Sequence, residues 1–270
     1  MDFRTIVPIA KGSFQIEPLE KMLFVGSCFA DSIGQRFIED KFQAVVNPFG
    51  TMYNPASILH TVERCDAAPR TAVFTLGTNH VYRLRETGNI VDNCEKRPAR
   101  LFQEEELSVG ECADYLNRAI GILRSRRSDV RVIITVSPIR YKKYGYHESQ
   151  LSKAILLLAA ETVCNANNDV AYFPAYEIMM DELRDYRFYA DDMLHPSHQA
   201  VEYIWQRFGD TYFSHATNDF LRQWLPIKAD LAHRPFNPDS EEYKSFLASA
   251  RKREKELLNS FQGKERSDAN

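Results

Sequence analysis

The sequence predicts an α/β fold: a three-layer α/β/α sandwich around a mainly parallel central sheet, resembling flavodoxin, with a helical C-terminal extension. Three observations lead there. Short apolar runs alternate with helical apolar stripes along the first 215 residues, the order that stacked β-α units require. The run at 130–136 is apolar at most positions, as a strand covered on both faces is, and is expected to be central. A chain of 270 residues, 44% hydrophobic and 26% charged, suits one large domain with an addition.

The elements follow in order. Residues 22–25 read as a short buried strand, and Ala30, Ile33, Gly34, Phe37 and Ile38 then recur at helical spacing. Residues 44–46 form a second strand that ends at Asn47-Pro48-Phe49-Gly50. Asn54-Pro55 opens a helix carrying Ile58, Leu59 and Val62. Residues 72–76 are the third strand, stopped by Gly77. Residues 81–92 alternate around Thr87-Gly88-Asn89 and predict a hairpin beside the sheet. Cys112, Leu116, Ala119, Ile120 and Leu123 mark the next helix, and the 130–136 strand ends at Ser137-Pro138. Leu151, Ala154, Ile155, Leu158 and Ala159 form another helical stripe before a strand at 170–173. Val201, Ile204, Trp205, Phe208 and Tyr212 make the last core helix, capped by Ser197. These elements bound a domain over 1–215. From 216 two further helical patterns, separated by Arg234-Pro235-Phe236-Asn237-Pro238, form an extension over 216–270 folded back on the domain, with a disordered tail after Gly263.

Composition narrows the function classes. Lys and Arg number 34 against 37 Asp and Glu, and no basic stripe is interleaved with aromatics, so nucleic acid is not expected as a partner. The start, Met1-Asp2-Phe3-Arg4-Thr5-Ile6-Val7-Pro8, lacks the apolar core of a signal peptide, and no apolar run approaches membrane-spanning length. Cys28, Cys65, Cys94, Cys112 and Cys164 are scattered and odd in number, which fits reduced thiols in a cytoplasmic protein. Without a GxGxxG or Walker loop no nucleotide cofactor is expected. His195-Pro196-Ser197-His198 is not read as a metal site, since no second acidic or His cluster accompanies it.

The most informative stretch is Phe24-Val25-Gly26-Ser27-Cys28-Phe29-Ala30, a small-residue turn between strand and helix. A helix start carries unpaired N–H groups and positive potential, so a hydroxyl there can attack while an amide steadies the oxyanion. Ser27 is therefore a candidate nucleophile; the bland alternative is a helix cap, and Cys28 offers a thiol at the same helix start. Far downstream, Asp192 and His195 are spaced so that one loop presents both, the carboxylate holding the imidazole in the tautomer that accepts a proton. Ser27, Asp192 and His195 all fall on loops expected at the C-terminal edge of the sheet. Gly50 and Asn79, ending the second and third strands, are candidate oxyanion donors whose bland role is turn chemistry. Arg140, after the 130–136 strand, clamps an anionic group or makes a structural salt bridge.

The segment Gly26-Ser27-Cys28-Phe29-Ala30 resembles the name-giving motif of the GSCFA family, which belongs with the SGNH (GDSL-like) hydrolases. The resemblance extends through Asn47-Pro48-Phe49-Gly50-Thr51-Met52-Tyr53-Asn54-Pro55, Leu76-Gly77-Thr78, Asn93-Cys94, Thr135-Val136-Ser137-Pro138-Ile139-Arg140 and 190–197. It implies a Ser27 nucleophile, Gly50 and Asn79 as oxyanion donors (with Asn54 as a substitute for Asn79), and Asp192 and His195 as acid and base. The chain departs from the family pattern at Glu95 and Tyr141, where histidine is common. The implied activity is hydrolysis of an ester or acetyl group on a small-molecule or carbohydrate substrate. An acyltransferase with the same triad and a non-catalytic binding module on the same fold are the alternatives.

Overall fold

The structure, a computed structural model, describes residues 4–10 and 12–262; the expected tail after Gly263 lies outside them. β1 (Lys21–Gly26), β2 (Gln43–Val46), β3 (Thr71–Leu76), β7 (Arg131–Val136) and β8 (Val170–Tyr172) form one parallel sheet in the order β2-β1-β3-β7-β8. The centre of this sheet is β3, every residue of which is buried, and not the 130–136 strand; β7 is its interior neighbour.

Alternate strand residues feed two cores, because successive side chains leave a strand on opposite faces. Leu23, Val25, Phe74, Ile134 and Val136 pack under α2 (Pro55–Arg64), α3 (Val109–Arg126) and α4 (Tyr146–Ala166). Met22, Phe24, Val73 and Ile133 pack under α1 (Cys28–Glu39) and α6 (His198–Tyr212), joined by the short α5 (Ala175–Glu177) and the π-helical turn after it. Three layers follow from that alternation.

Capping residues set the helix starts. Asn54 accepts from Ser57 N–H, Ser197 from Ala200 N–H, and Ser108 and Glu111 form a reciprocal capping box. The stripe expected on α4 is displaced: Leu151 and Leu158 are 47% and 57% exposed, and Ser149, Ser152, Lys153, Leu156, Ala159, Ala160 and Val163 face inward. That helix is covered by α3 and the sheet on its small-residue face, so close approach outweighed hydrophobicity in choosing the buried side. The expected hairpin is present as β4 (His80–Leu84) and β5 (Ile90–Val91), and β6 (Phe102–Glu106) adds an antiparallel strand the alternation did not reveal.

α7 (His215–Ala232) and α8 (Glu241–Gln262) follow α6. Phe220, Trp224 and Ile227 of α7 bury themselves with Leu257 of α8 and with Leu19, which precedes β1. Trp224 Nε1 donates to Glu39 O, and Lys228 pairs with Asp40 and Glu39, so α7 docks on the C-terminal end of α1. Among the described residues no helix is long and apolar enough to cross a membrane, and the five cysteines are free thiols.

Candidate active site

The turn after β1 is built to bring backbone close to backbone. Gly26 has φ +145°, and a Cβ there would overlap Thr75 O and Oγ1, so only glycine lets β1 finish against β3. Its N–H donates to Asn47 Oδ1 at 2.9 Å, while Asn47 Nδ2 donates to Asp31 of α1 at 2.8 Å. This side chain ties the ends of β1 and β2 to the first turn of α1.

Ser27 caps α1, its Oγ accepting from Phe29 N–H. The residue is 1% exposed, and its hydroxyl donates to Ser137 Oγ at 2.9 Å and pairs with Thr75 Oγ1 at 3.0 Å. Its own N–H donates to Thr75 O. The hydroxyl therefore sits at the C-terminal edge of the sheet but is spent between the ends of β1, β3 and β7. Cys28, the first residue of α1, is half-buried, and its N–H has no acceptor among the described residues outside its own side chain. Burial pushes its thiol up to about 11, and the charges that act on it are those of Asp31, Lys153 and Asp192.

Asp192 and His195 form the pair that their spacing predicts. His195 Nδ1 and Asp192 Oδ2 are 2.5 Å apart, and Asp192 Oδ1 accepts the N–H groups of Leu194 and His195. The backbone N–H of His195, then its ring, then the Leu194 N–H pull the Asp192 carboxyl down to about 2. The pair is not buried: the side chains of His195 and Asp192 are 47% and 45% exposed. Nε2 of His195 makes no hydrogen bond among the described residues, to Ser27 or to any other group. A tight loop holds the pair, with Ala190 N–H bonded to His195 O, Met193 N–H to Ala190 O, and Met193 itself at φ +59°.

Arg140 makes no ion pair among the described residues. Its N–H donates to Leu194 O, its Nη1 donates to Met193 O at 3.1 Å, and its guanidinium lies over Tyr146 and Tyr189. It thereby fastens the segment after β7 to the Asp192–His195 loop. Beside it a cavity of about 290 Å³ is lined by Ile139, Tyr176, Met179, Met180, Leu183 and the rings of Tyr146 and Tyr189.

The expected oxyanion donors are engaged elsewhere. Gly50 N–H closes a turn onto Asn47 O at 2.8 Å, with the residue exposed at φ +91°. Asn79 is wholly buried, and its Nδ2 donates to Leu107 O where β4 leaves the sheet. Asn54 caps α2 and donates to His80 O. Gly50 fills a turn role and Asn54 a cap, whereas Asn79 ties the start of β4 to Leu107, 28 residues on.

Three groups beside the turn had no site role in the sequence reading. Lys153 lies buried across the ends of β3 and β7, donating to Gly77 O and Ser137 O at 2.8 Å each. Burial draws it down to about 7, and the Cys28 thiol acts on it. Tyr53 and Tyr141 meet edge to face at 5.8 Å, and Cys28 acts on both. The available signal for Lys153 was a cation set among Ser149, Ser152, Leu156 and Ala160 at helical spacing. Among the described residues no group of three or more His, Cys, Asp or Glu is arranged to hold a metal. What the edge brings together is a helix start bearing a hydroxyl and a thiol, an imidazole oriented by a carboxylate, and a buried lysine, groups with which acyl transfer can be carried out.

The sequence matches the GSCFA family over residues 21–72 and 65–208, and residues 224–265 match the C-terminal domain of GSCFA domain proteins. None of the curated proteins matches it. Among solved structures, a provisionally assigned GDSL-like lipase from Parabacteroides merdae superposes with TM-score 0.50 at 11% identity, over 76% of this chain and 98% of that one. A provisionally assigned platelet activating factor from Streptococcus pneumonia gives TM-score 0.48 at 18% identity, over 72% and 84%. A GDSL-like lipase from Bacteroides thetaiotaomicron gives 0.47 at 13%, over 71% and 86%. The Parabacteroides likeness is one of fold.

Proposed function

Because the chain belongs to the GSCFA family, we propose that it is an ester hydrolase that works through a covalent acyl-enzyme formed on the turn after β1. The observation that carries this reading is the Asp192–His195 pair, whose 2.5 Å contact leaves Nε2 unpartnered. A carboxylate on Nδ1 fixes the tautomer in which Nε2 accepts a proton, and it stabilises the imidazolium that forms. His195 takes the proton of the nucleophile and later gives it to the leaving alcohol. Asp192 stays ionised at any pH where an imidazole works as a base, since its own titration lies near 2. The N–H of Cys28, which no backbone acceptor takes, and the positive end of α1 stabilise the oxyanion. The cavity beside Arg140 takes the larger part of the ester.

The test is turnover of p-nitrophenyl acyl esters as a function of pH. The wild-type rate should rise along a limb that belongs to His195, and His195→Ala should abolish the limb and lower kcat/KM by about a thousandfold or more. Asp192→Asn should lower kcat sharply in a folded protein, because the ring then rests in the other tautomer. An unchanged pH profile in folded His195→Ala would sink the reading. Release of a new ester instead of free acid, when an alcohol is added, would assign the same site to acyl transfer.

A further inference from the structure

Resting on that hydrolase reading, we propose that the nucleophile is the thiol of Cys28, that the covalent intermediate is a thioester, and that Ser27 is the cap that holds Cys28 in place. The two neighbours in the turn are told apart by what their groups already do. The Ser27 hydroxyl has its proton on Ser137 Oγ, accepts from the Phe29 amide and pairs with Thr75, in a residue closed off from solvent. To attack, it would have to break a buried network joining three strand ends. Cys28 is half-buried, and its sulfur makes no hydrogen bond to another residue.

The oxyanion argument separates them again. A nucleophile at a helix start uses its own N–H to steady the developing charge. The Ser27 N–H is committed to Thr75 O, whereas the Cys28 N–H is the first unpaired donor of α1. The charge of Asp192 also reaches the Cys28 thiol. Lys153 and the positive end of α1 favour a thiolate there, while burial holds the resting group as a thiol. A resting thiol needs a base, and His195 Nε2 is the unpartnered base at that edge. Thiol and Nε2 are not hydrogen-bonded here; catalytic contacts of this kind often tighten only in the Michaelis complex.

The step balances without a co-reactant beyond water. Sγ attacks the acyl carbonyl carbon as its proton passes to Nε2; the C–S bond forms, the ester C–O bond breaks, and the alcohol leaves with the proton from Nε2. Water, deprotonated by the same nitrogen, then adds to the thioester, and its C–S bond breaks to release the carboxylic acid and restore the thiol.

The experiment uses the full chain with p-nitrophenyl acetate, acid-quenched during the first turnover, with the acetyl group located by peptide mass spectrometry. Acetyl is expected on Cys28, with Cys65, Cys94, Cys112 and Cys164 as internal controls for unselective thiol acylation. Cys28→Ala should lose the adduct and at least about a thousandfold in kcat/KM. Ser27→Ala, assayed below its lowered melting temperature, should still acetylate Cys28. His195→Ala should slow Cys28 acetylation to the rate of the other four thiols. Acetyl on Ser27, surviving in Cys28→Ala, overturns the thiol assignment and leaves the hydrolase reading standing. Labelling of Cys28 that ignores His195 also overturns it, because the thiol is then merely reactive. Wild type that neither acylates nor turns over any acyl ester of the series defeats the hydrolase reading, and this inference with it.

Discussion

At the scale of single residues, Lys153 is a group whose charge state the fold controls strongly. It is buried, holds two backbone carbonyls, and titrates near 7, against about 10.4 for a free lysine. Between those values the unfolded chain carries a proton that the folded one has released, so stability rises with pH across the interval. Wild type should therefore gain stability relative to Lys153→Met as pH climbs from 7 toward about 10.4, measured by urea unfolding at each pH. A constant difference would mean that the Gly77 and Ser137 carbonyls keep the ammonium charged throughout. Residue identity was legible at the turn, but that the Ser27 hydroxyl is buried and spent on Thr75 and Ser137 was not. Neighbouring side chains at a strand-to-helix junction diverge by an angle that only the packed ends of β3 and β7 decide.

Among the elements, the loop over 189–196 is the one on which the site depends. It closes on itself through Ala190 and His195, docks to β7 through Arg140, and carries Met193 in a left-handed conformation that costs energy unless neighbours enforce it. Arg140 was expected as an anion clamp or a salt bridge; its guanidinium instead holds the Met193 carbonyl and stacks on two tyrosines. Arg140→Gln should lower kcat by about tenfold to a hundredfold with little change in KM, because a shift of the imidazole by a fraction of its reach is enough. Arg140→Lys should rescue poorly, since a lysine lacks the planar fork. A rise in KM at constant kcat would return Arg140 to the role of substrate clamp.

For the whole molecule, the notable arrangement is that α1 connects the site to the C-terminal helices. Cys28 stands at its N-terminus, and Trp224 and Lys228 grip its other end about 18 Å away, at 1.5 Å per residue over 12 residues. This contact lies at the end of α1 away from Cys28, so its expected task is stability, not chemistry. Trp224→Ala should destabilise the fold by about 3–5 kcal/mol by urea unfolding, the range for emptying a buried aromatic site. Turnover per folded molecule should stay as in wild type. Loss of turnover in a variant of full stability would show that α7 acts on the site through α1.

The sequence by itself determined the layered α/β fold, the positions of the parallel strands, the helix start at Asn54-Pro55, the cap at Ser197, and the Asp192–His195 pair. All of these are written in local pattern: apolar runs, helical periodicity, and residues three apart on one loop. Tertiary structure alone decided which face of α4 is buried, that β3 is the middle strand, and that Gly50, Asn79 and Arg140 serve their neighbours' backbones. It also decided that Ser27 lies buried and hydrogen-bonded between strand ends while Cys28 is half-buried at the start of α1. Those outcomes depend on groups far apart in sequence competing for the same hydrogen-bond partners and the same space, a competition that exists only once the sheet has assembled.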